Sequence, residues 1–487
     1  MYYIGIDLGT SSLKSILMDE ENNIIKAVSK DYPIYYPADG FVEQDPDDWW
    51  EKSLEAIGEL TAGIDRKNVK SIAVAGQMHG LVALDKEGAV IRNAILWNDT
   101  RTKEETAYLN EKIGRDLLSK ETGNIAYAGF TLPKILWMEK NEPENFEKIS
   151  HILLPKDYII YKLTGKFATD YSDASGTLVL DVQNKKWSEK MCQIGHVKKE
   201  WLPELFDSFD IVGDVKKEII DQFGFADDMN LVAGGGDNAI AAISVSAIGE
   251  DSCNISLGTS GTIFIPTDKF VKEDNFGLHS FVHASGDFHL MGCTLSAASS
   301  LNWWMTDILK SEDFAGEQKN IEKLGGNKIF FMPYLNGERS PHNDEDIKGS
   351  FVGLSASTKR EDMTQAILEG VAFSLRDCLE CAHELGIYPK ESTVVGGGAK
   401  SDLWCKILAN VLDMPIKRVK GENGPGLGAA LLARFANQDE KDLKEISKID
   451  PEMLETFKAD PVLVEKYEKS YRKYKSLYPI LRDFYKD

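Results

Sequence analysis

The chain has 487 residues and a net charge of −22, from 56 basic and 78 acidic side chains. This length exceeds the roughly 250–300 residues at which a single core stops growing, so we expect two domains of similar size. The acidic balance argues against a nucleic-acid partner, and no apolar run approaches the ~18 residues of a membrane span. The first residues lack the basic and apolar segments of a signal peptide, so we expect a cytoplasmic protein.

The first thirty residues predict three strands joined by short turns. Residues 2–6 and 13–18 are rich in β-forming side chains, and the turn between them contains Gly9, Thr10 and Ser11. At a hairpin tip, these small residues leave backbone N–H groups and hydroxyls free to surround an anion such as a phosphate. Taken alone, the loop is more typical of an ordinary tight turn.

A helix is predicted after Asp45, followed by a strand whose end carries candidate ligand contacts. Asp45 is placed to cap this helix and Gly63 to end it. Residues 69–75 form the predicted strand and lead to Met78 and His79. Strand ends carry ligand-binding residues in α/β sheets, so both are candidate contacts, with a structural histidine as the alternative.

Two further strand ends carry candidate site residues. Trp97 ends a short apolar run, and its indole could lie in the core or offer a flat face to a sugar. Residues 231–233 lead through three glycines to Asp237 and Asn238, which precede an apolar helix over 239–247. Asp237 could cap that helix, or it could accept a proton from an alcohol that attacks a γ-phosphorus. Asn238 offers a donor and an acceptor to a hydroxyl.

The first hairpin is repeated in the second half of the chain. Residues 255–261 match residues 6–12 at five of seven positions and lie between similar strand-forming runs. Gly258 and Thr259 therefore correspond to the glycine and threonine of the first loop. Two copies at a domain-sized separation favour a duplicated phosphate clamp over two unrelated turns.

The two copies differ at one charged position. The first has Asp7 where the second has Ser256. A carboxylate beside a phosphate is repelled unless a cation lies between them. We therefore expect Asp7 to hold a hydrated Mg²⁺, whereas the uncharged Ser256 can contact phosphate oxygens directly.

The repeat divides the chain into predicted domains of residues 1–247 and 248–487. Junctions of strand, glycines and helix follow residues 75, 233 and 395, which predicts an α/β fold with helices packed on a sheet. At the last junction, Gly397 and Gly398 would let a purine and its ribose lie against the backbone, with a simple helix entry as the alternative.

Other segments have no assigned chemistry. Six cysteines are too few for a disulfide framework, so we expect free thiols. Cys378 and Cys381 form a CxxC inside a helical pattern, where burial is expected rather than metal or redox chemistry. The chain has no GxxxxGK[ST] motif, and residues 424–428 lack the spacing of a dinucleotide fingerprint, so we expect a loop before a closely packed helix.

Several long motifs resemble those of the FGGY family of carbohydrate kinases, within the actin-like ATPase superfamily. The two broad signatures cover residues 129–138 and 349–369, and narrower motifs lie at 43–46, 76–80, 95–99, 154–158 and 337–342. The resemblance extends over about residues 1–435. It implies two duplicated actin-like (ribonuclease H-like) ATPase domains with a cleft between them.

The resemblance implies transfer of phosphate from MgATP to a sugar hydroxyl. Met78 and His79 are similar to members that act on D-xylulose, because members that act on glycerol typically carry an Arg-Glu pair there. D-Xylulose is thus the expected acceptor, phosphorylated at C5 with Asp237 as general base. The other implied roles are sugar contacts at Met78, His79, Trp97, Asp237 and Asn238, ATP contacts at Gly9, Thr10, Ser11, Gly258, Thr259, Gly397, Gly398 and Asp402, and Mg²⁺ binding, through water, at Asp7.

Other functions stay open at this stage. A kinase for another ketose or polyol, such as ribulose, gluconate or erythritol, fits the same motifs, because pocket shape decides sugar preference. An actin-like ATPase that acts on a protein partner is another alternative, but no peptide-binding domain is recognised after the second half of this sequence. A sugar-binding regulator without catalysis is a third alternative, but it would not need the intact Asp7 and Asp237. The expected partners are a small-molecule sugar and ATP, and a homodimer would be the commonest closed assembly.

Overall fold

The computed structural model of the protein describes residues 1–272, 276–420, 424–438 and 453–486. Two large sheets dominate the described chain. The strands of the first sheet are β1 Tyr2–Leu8, β2 Ser12–Asp19, β3 Ile24–Asp31, β4 Val69–Gly76, β5 Ile211–Asp214 and β6 Asn230–Gly236. Those of the second sheet are β7 Ser252–Leu257, β8 Gly261–Thr267, β9 His279–Val282, β10 Phe288–Thr294, β11 Glu391–Val395, β12 Ile416–Val419 and β13 Met453–Phe457.

The two sheets share a common arrangement of strands around the repeated hairpin. Their orders are β5-β6-β4-β1-β2-β3 and β9-β10-β8-β7-β11-β12-β13. In each, a hairpin is followed by two strands parallel to its first strand, and an antiparallel strand closes that edge. Asp7 lies opposite Lys14 in the first hairpin, as Ser256 lies opposite Thr262 in the second. The predicted duplicated α/β architecture is confirmed.

Helices cover both sheets. Those of the core and the site are α1 Pro46–Leu60, α2 Thr131–Asn141, α3 Pro155–Thr164, α4 Asp237–Ser244, α5 Arg360–Glu384, α6 Asp402–Leu412, α7 Gly424–Phe435, α8 Pro461–Lys475 and α9 Leu477–Tyr485. Shorter helices are Lys103–Ala107, Arg115–Thr122, Pro143–Phe146, Tyr171–Ala174, Glu189–Ile194, Lys217–Phe223, Ala298–Trp303 and Phe314–Gln318. Short strand pairs join Glu43–Gln44 to Ala94–Ile95, Val82–Leu84 to His151–Leu153, Ala168–Asp170 to Glu204–Phe206, Leu180–Asp181 to Lys186–Trp187, and Phe330–Met332 to Ser350–Val352.

Local signals placed the first helix well. The Asp45 carboxylate accepts a hydrogen bond from the Asp47 N–H, as expected of an N-cap, and α1 starts at Pro46. The helix ends at Leu60, before Gly63, whose φ of 86° lies in the left-handed region. The predicted helix is therefore confirmed, with an end one turn earlier.

Helices α4 and α7 pack together between the two sheets. A Cβ on Gly428 would lie 2.0 Å from the Ile240 carbonyl oxygen of α4, and one on Gly5 of β1 would lie 2.0 Å from the Gly426 oxygen. Glycine is required at both contacts because any side chain would overlap the neighbouring backbone. Since α7 begins at Gly424, the prediction of a loop over these glycines is wrong, while the predicted close packing is confirmed.

All six cysteines are free thiols, as predicted. Cys378 is buried and Cys381 half-buried in α5, so the CxxC is a helical segment rather than a disulfide. Among the helices of the described ranges, none combines the length and the apolar character that crossing a bilayer requires.

Candidate active site

The carboxyl ends of three parallel strands meet at one edge of the first sheet. Leu8 of β1 pairs with Gly76 of β4, which in turn pairs with Gly236 of β6. The Gln77 N–H donates to the Leu8 carbonyl at 2.9 Å, which holds the β4 end against the first hairpin loop. Asp7, Met78, His79 and Asp237 leave these strand ends together, as the sequence predicted for such an edge.

Asp237 is the first residue of α4, but it is not the helix cap. Gly236 occupies the N-cap position, and no side chain caps the helix there. The Asp237 carboxylate instead accepts hydrogen bonds from Asn238, at 2.8 Å from its backbone nitrogen and 3.2 Å from Nδ2. The capping alternative is therefore wrong. Burial raises the pKa of Asp237 to about 6, which leaves the carboxylate ionised at neutral pH and basic enough to accept a proton.

Asp7 faces the same space as Asp237. Burial first, and then the charge of Asp237, raise the pKa of Asp7 to about 7, while the charge of Lys14 acts in the opposite direction. A Cβ on Gly426 of α7 would lie 3.8 Å from the Asp7 Cβ, so the second half of the chain closes over this carboxylate. Two carboxylates that repel each other at a partly open site favour a cation between them.

Met78 and His79 form the wall next to Asp237. A Cβ on Gly236 would lie 2.9 Å from the Met78 sulfur, so the thioether packs directly on the backbone before the aspartate. The His79 Nδ1 lies 2.8 Å from the Gly176 carbonyl oxygen. Burial, with a smaller contribution from the Arg339 charge, lowers the pKa of His79 to about 3. The imidazole is neutral, with Nδ1 as the donor to Gly176, which leaves Nε2 as an acceptor for a hydroxyl.

The backbone of His79 is held in a conformation that non-glycine residues rarely adopt. Its φ is 69°, and its carbonyl oxygen accepts hydrogen bonds from Lys134 Nζ at 2.8 Å and Thr131 Oγ1 at 3.0 Å. Burial lowers the pKa of Lys134 to about 7. Sequence reasoning missed this lysine, although a lone lysine among the apolar residues of α2 was a usable signal.

The first loop turns its carbonyl groups towards the protein. The Gly9 oxygen accepts from the Tyr32 hydroxyl, and the Thr10 oxygen accepts from Gln44 Nε2 at 2.8 Å. The Trp97 indole N–H donates to the Thr10 hydroxyl at 2.9 Å, and the Trp97 residue remains 42% exposed. Trp97 therefore connects the wall of the pocket to this loop and is not a core residue. The Ser11 N–H has no acceptor among the described residues.

The second loop is oriented in the same way. The Gly258 and Thr259 oxygens accept from the backbone N–H groups of Ala298, at 2.9 Å, and Ala297, at 3.0 Å. With these carbonyl groups held, the second loop is fixed as a turn of small residues, a kind of turn that can bind an anion. A Cβ on Gly396 would lie 3.1 Å from the Gly258 nitrogen, so this loop touches the glycine-rich end of β11.

A cavity of about 680 Å³ opens beside that strand end. Its lining includes Gly397, Gly398 and Asp402 together with Phe314 and Gln318. In the part of the chain that the structure describes, no atom of a non-neighbouring residue lies within 4 Å of a Cβ built on Gly397, whereas a Cβ on Gly398 would lie 2.8 Å from the Leu257 Cβ. Gly397 therefore faces the cavity, and Gly398 lets β11 approach the second hairpin.

Asp402, predicted to contact ATP, lies at the rim of this cavity. Its carboxylate is paired with Arg418 Nη1 at 2.7 Å.

Deeper in the second domain, the buried Glu338 accepts from the Thr294 hydroxyl at 2.6 Å and from the Leu295 N–H at 3.0 Å. Burial raises the pKa of Glu338 to about 7. No role for Glu338 was predicted from the sequence, and its contacts show that it holds the end of β10 beside the second loop.

A buried charge network, also missed, lies beneath Asp237. Lys156 Nζ is 2.7 Å from Asp157 and 3.1 Å from Asp170, and all three side chains are fully buried. Asp170 accepts from the Ser172 hydroxyl, which in turn accepts from the Gly236 N–H at 3.1 Å. The network therefore fixes the backbone residue that precedes Asp237.

Comparison with known proteins identifies the group to which this chain belongs. The family models for the N-terminal and C-terminal domains of the FGGY family of carbohydrate kinases match residues 2–244 and 253–437. The chain belongs to the FGGY family of carbohydrate kinases. A xylulose kinase from Bacillus subtilis is 38% identical to this kinase, over 99% of this chain and 97% of its own.

Solved structures give the same picture. A xyloylose kinase from Brucella ovis is 35% identical, with a TM-score of 0.95, and the match covers 99% of this kinase and 100% of that chain. A gluconate kinase from Lactobacillus acidophilus is 29% identical, with a TM-score of 0.94 and 99% of both chains covered. The two-domain actin-like fold of sugar kinases is therefore established for this chain.

Proposed function

We propose that this kinase phosphorylates D-xylulose at its C5 hydroxyl with ATP, giving ADP and D-xylulose 5-phosphate. The observation that carries the proposal is the position of the Asp237 carboxylate. It lies at a strand end beside the Met78–His79 wall, and it is free of the capping role that would otherwise explain it. The sugar itself is taken from the relatives, among them the xylulose kinase from Bacillus subtilis.

Asp237 acts as the general base in this reaction. Its carboxylate accepts the proton of the C5 hydroxyl as the oxygen attacks the γ-phosphorus, and Asn238 orients the carboxylate through its two hydrogen bonds. His79 Nε2 accepts a hydrogen bond from another sugar hydroxyl, and the partly exposed Trp97 ring offers a face to the sugar carbons. Met78 excludes water beside the base.

The two hairpin loops bind the phosphates of ATP. Several of their carbonyl groups are held by the protein, and the backbone and hydroxyl groups of Gly9, Thr10, Ser11, Gly258 and Thr259 offset the charge of the transferring group. The adenosine lies in the cavity at Gly397, Gly398 and Asp402. Closure of the domains excludes water and so suppresses hydrolysis of ATP.

The residues near Asp7 fit a magnesium ion. Mg²⁺ keeps several waters and is usually bound by one or two carboxylates together with substrate phosphates, so no larger protein cage is needed. Asp7 is partly open and adjoins a phosphate loop, and its pKa is raised first by burial and then by the charge of Asp237, both of which a cation beside it would offset. Asp7 would hold the ion through water, and the ion would supply positive charge that offsets the charge of the phosphates.

We also propose a domain boundary, a cellular location and an oligomeric state for this kinase. We divide the chain into domains of residues 1–247 and 248–487, because the last helix of the first half ends at Ser244 and the repeated hairpin starts at Ser252. A cytoplasmic location is consistent with the use of ATP. A homodimer is the assembly to test by sedimentation, since twofold dimers are the commonest closed oligomers.

A coupled assay of ADP release tests the function. D-Xylulose is expected to give the highest kcat/KM among D-xylulose, D-ribulose, gluconate, erythritol and glycerol. A higher value with gluconate would favour the second candidate, which the 29% identical gluconate kinase of the same fold supports. ATP turnover that does not depend on any sugar would instead favour an ATPase that acts on a protein partner.

A further inference from the structure

Arg339 is a cation without a carboxylate partner among the described residues. Its guanidinium carbon lies 4.8 Å from the centre of the Tyr127 ring, and its Nε is buried with no acceptor. The neighbouring Glu338 forms no ion pair with this guanidinium, since its oxygens accept instead from Thr294, Leu295, Ser374 and the backbone N–H of Arg339. Arg339 is half-buried, and a ligand that displaces its remaining water has to supply a partner, because burying an unpaired charge is costly.

The Tyr127 ring connects Arg339 to the sugar wall of the first domain. Tyr127 lies 5.3 Å from Phe130, which stacks on His79 with 4.5 Å between the ring centres. Between them in the chain, Gly129 packs against Trp97, where a Cβ would lie 2.4 Å from the Trp97 carbonyl oxygen. Arg339 therefore belongs to the same wall as the proposed sugar contacts, although it comes from the second domain.

The nearby imidazoles do not compensate the charge of Arg339. The ring of His279 of β9 lies 4.8 Å from the Tyr127 ring, and both of its nitrogens are buried without a hydrogen-bond partner among the described residues. Burial, and then the Arg339 charge, lower the pKa of His279 well below its usual range. The imidazole is neutral, and no anion among these neighbours offsets the guanidinium.

The order of contacts along the wall gives Arg339 a position relative to the sugar. Asp237 adjoins Met78 through Gly236, His79 follows, and the Phe130 and Tyr127 rings lead on to Arg339. A sugar with its reacting hydroxyl at Asp237 would thus direct its opposite end towards the guanidinium.

We propose that Arg339 binds the oxygens of the sugar at the end remote from the phosphorylated hydroxyl, and that it favours a polarised or anionic oxygen there. The carbonyl of a ketose and the carboxylate of an aldonate both meet this requirement. The inference rests on the proposed sugar site and adds a residue that the second domain contributes on closure. A guanidinium pairs more strongly with a carboxylate than with a carbonyl, so the two ligands respond differently to its loss.

Calorimetric titration of the full chain with D-xylulose and with D-xylonate tests this role. Arg339→Met should lower the affinity for D-xylonate by at least about tenfold and the affinity for D-xylulose by less, because a charge-assisted hydrogen bond is worth roughly twice a neutral one. Arg339→Lys should recover part of the D-xylonate affinity, and the affinity for an ATP analogue should stay unchanged in both variants.

Arg376 is a matched control. It also lies over a tyrosine ring, 4.1 Å from Tyr471, but it is paired with Glu380 and Glu468. Arg376→Met should lower the melting temperature and leave both sugar affinities unchanged. The inference is overturned if the Arg339→Met variant binds D-xylonate as the wild type does, if its ATP-analogue affinity falls in parallel, or if wild-type protein that binds D-xylulose ignores D-xylonate. Wild-type protein that binds no D-xylulose would instead contradict the proposed function.

Discussion

The carboxylates of Asp7 and Asp237 come from different strand ends but share one electrostatic environment. Burial and then the Asp237 charge raise the pKa of Asp7 from 3.8 to about 7. The two side chains carry different proposed roles, one beside the metal and phosphates and the other beside the sugar. Their coupling means that a cation bound near Asp7 also stabilises the ionised form of Asp237.

Replacing Asp237 with Asn should abolish most of the catalysis. The amide cannot accept the C5 hydroxyl proton, so we expect kcat to fall by roughly 10²–10⁴. ATP binding should stay nearly intact, because the phosphate loops are unaltered. Steady-state kinetics and a titration with a nucleotide analogue measure the two effects. A loss of kcat below about fivefold would mean that this carboxylate is not the base.

Activity should depend on the protonation of Asp237. A base must be unprotonated, and burial raises the pKa of this group to about 6, so kcat/KM should decline as pH falls through about 6. The pH profile should be measured at saturating Mg²⁺, because the pKa of Asp7, about 7, is close to that of Asp237. The residual activity of Asp237→Asn should lack this acidic limb, and a limb that persists in the variant would assign the titration to another group.

Asp7→Asn should raise the Mg²⁺ concentration needed for half-maximal activity. The substitution removes a negative charge that would orient the hydrated ion, while the hairpin can keep its geometry. The exposed Asp221, which pairs with Lys217, provides a control through Asp221→Asn. The measurement is a Mg²⁺ titration of kcat for both variants. Superimposable Mg²⁺ titration curves for Asp7→Asn and the wild type would contradict a role of Asp7 in binding the metal.

His79→Ala should weaken sugar binding much more than ATP binding. The variant loses the Nε2 acceptor, and we expect the KM for the sugar to rise roughly tenfold, which corresponds to one buried hydrogen bond. The exposed His196, which contacts Glu139, gives the control variant His196→Ala. Equal increases in both KM values would point to a structural histidine.

Asp173→Asn should stabilise the protein at alkaline pH. Asp173 is fully buried, and within the described ranges neither of its carboxylate oxygens has a hydrogen-bond partner. Burial raises the pKa of Asp173 well above 3.8, against the opposing charge of Lys156. A raised folded-state pKa gives stability below the unfolded pKa that is lost as pH rises, and asparagine does not titrate.

The stability gain of the variant should therefore grow as pH rises from the unfolded-state pKa of Asp173 towards its raised folded-state pKa. Thermal unfolding of both proteins at pH 5 and pH 9 measures it. Equal melting temperatures at pH 9 would contradict the expectation. Because Glu338 and Glu369 also have raised pKa values in both proteins, only the difference between variant and wild type is informative.

The sequence by itself determined the repeated architecture of this protein. Strand-forming runs and small turn residues are local signals, so the hairpins at Gly9 and Gly258 and the glycine-rich strand ends were predictable. The sequence also shows that Asp7 and Ser256 occupy equivalent positions of the two hairpins, because the spacing of the repeat is enough to align them. The long motifs then connected these loops with the family that the comparisons identify.

Tertiary structure decided the contacts between residues that are distant in the chain. Only the folded chain shows that Gly236 rather than Asp237 caps α4, and that Lys134 holds the His79 backbone. From sequence periodicity, a lysine in a helix is expected to be exposed. Lys134 is instead buried, because carbonyl groups outside its helix accept its hydrogen bonds. Arg339 reaches Tyr127 for the same reason, since the partner of an unpaired charge depends on how the two domains meet and not on local sequence.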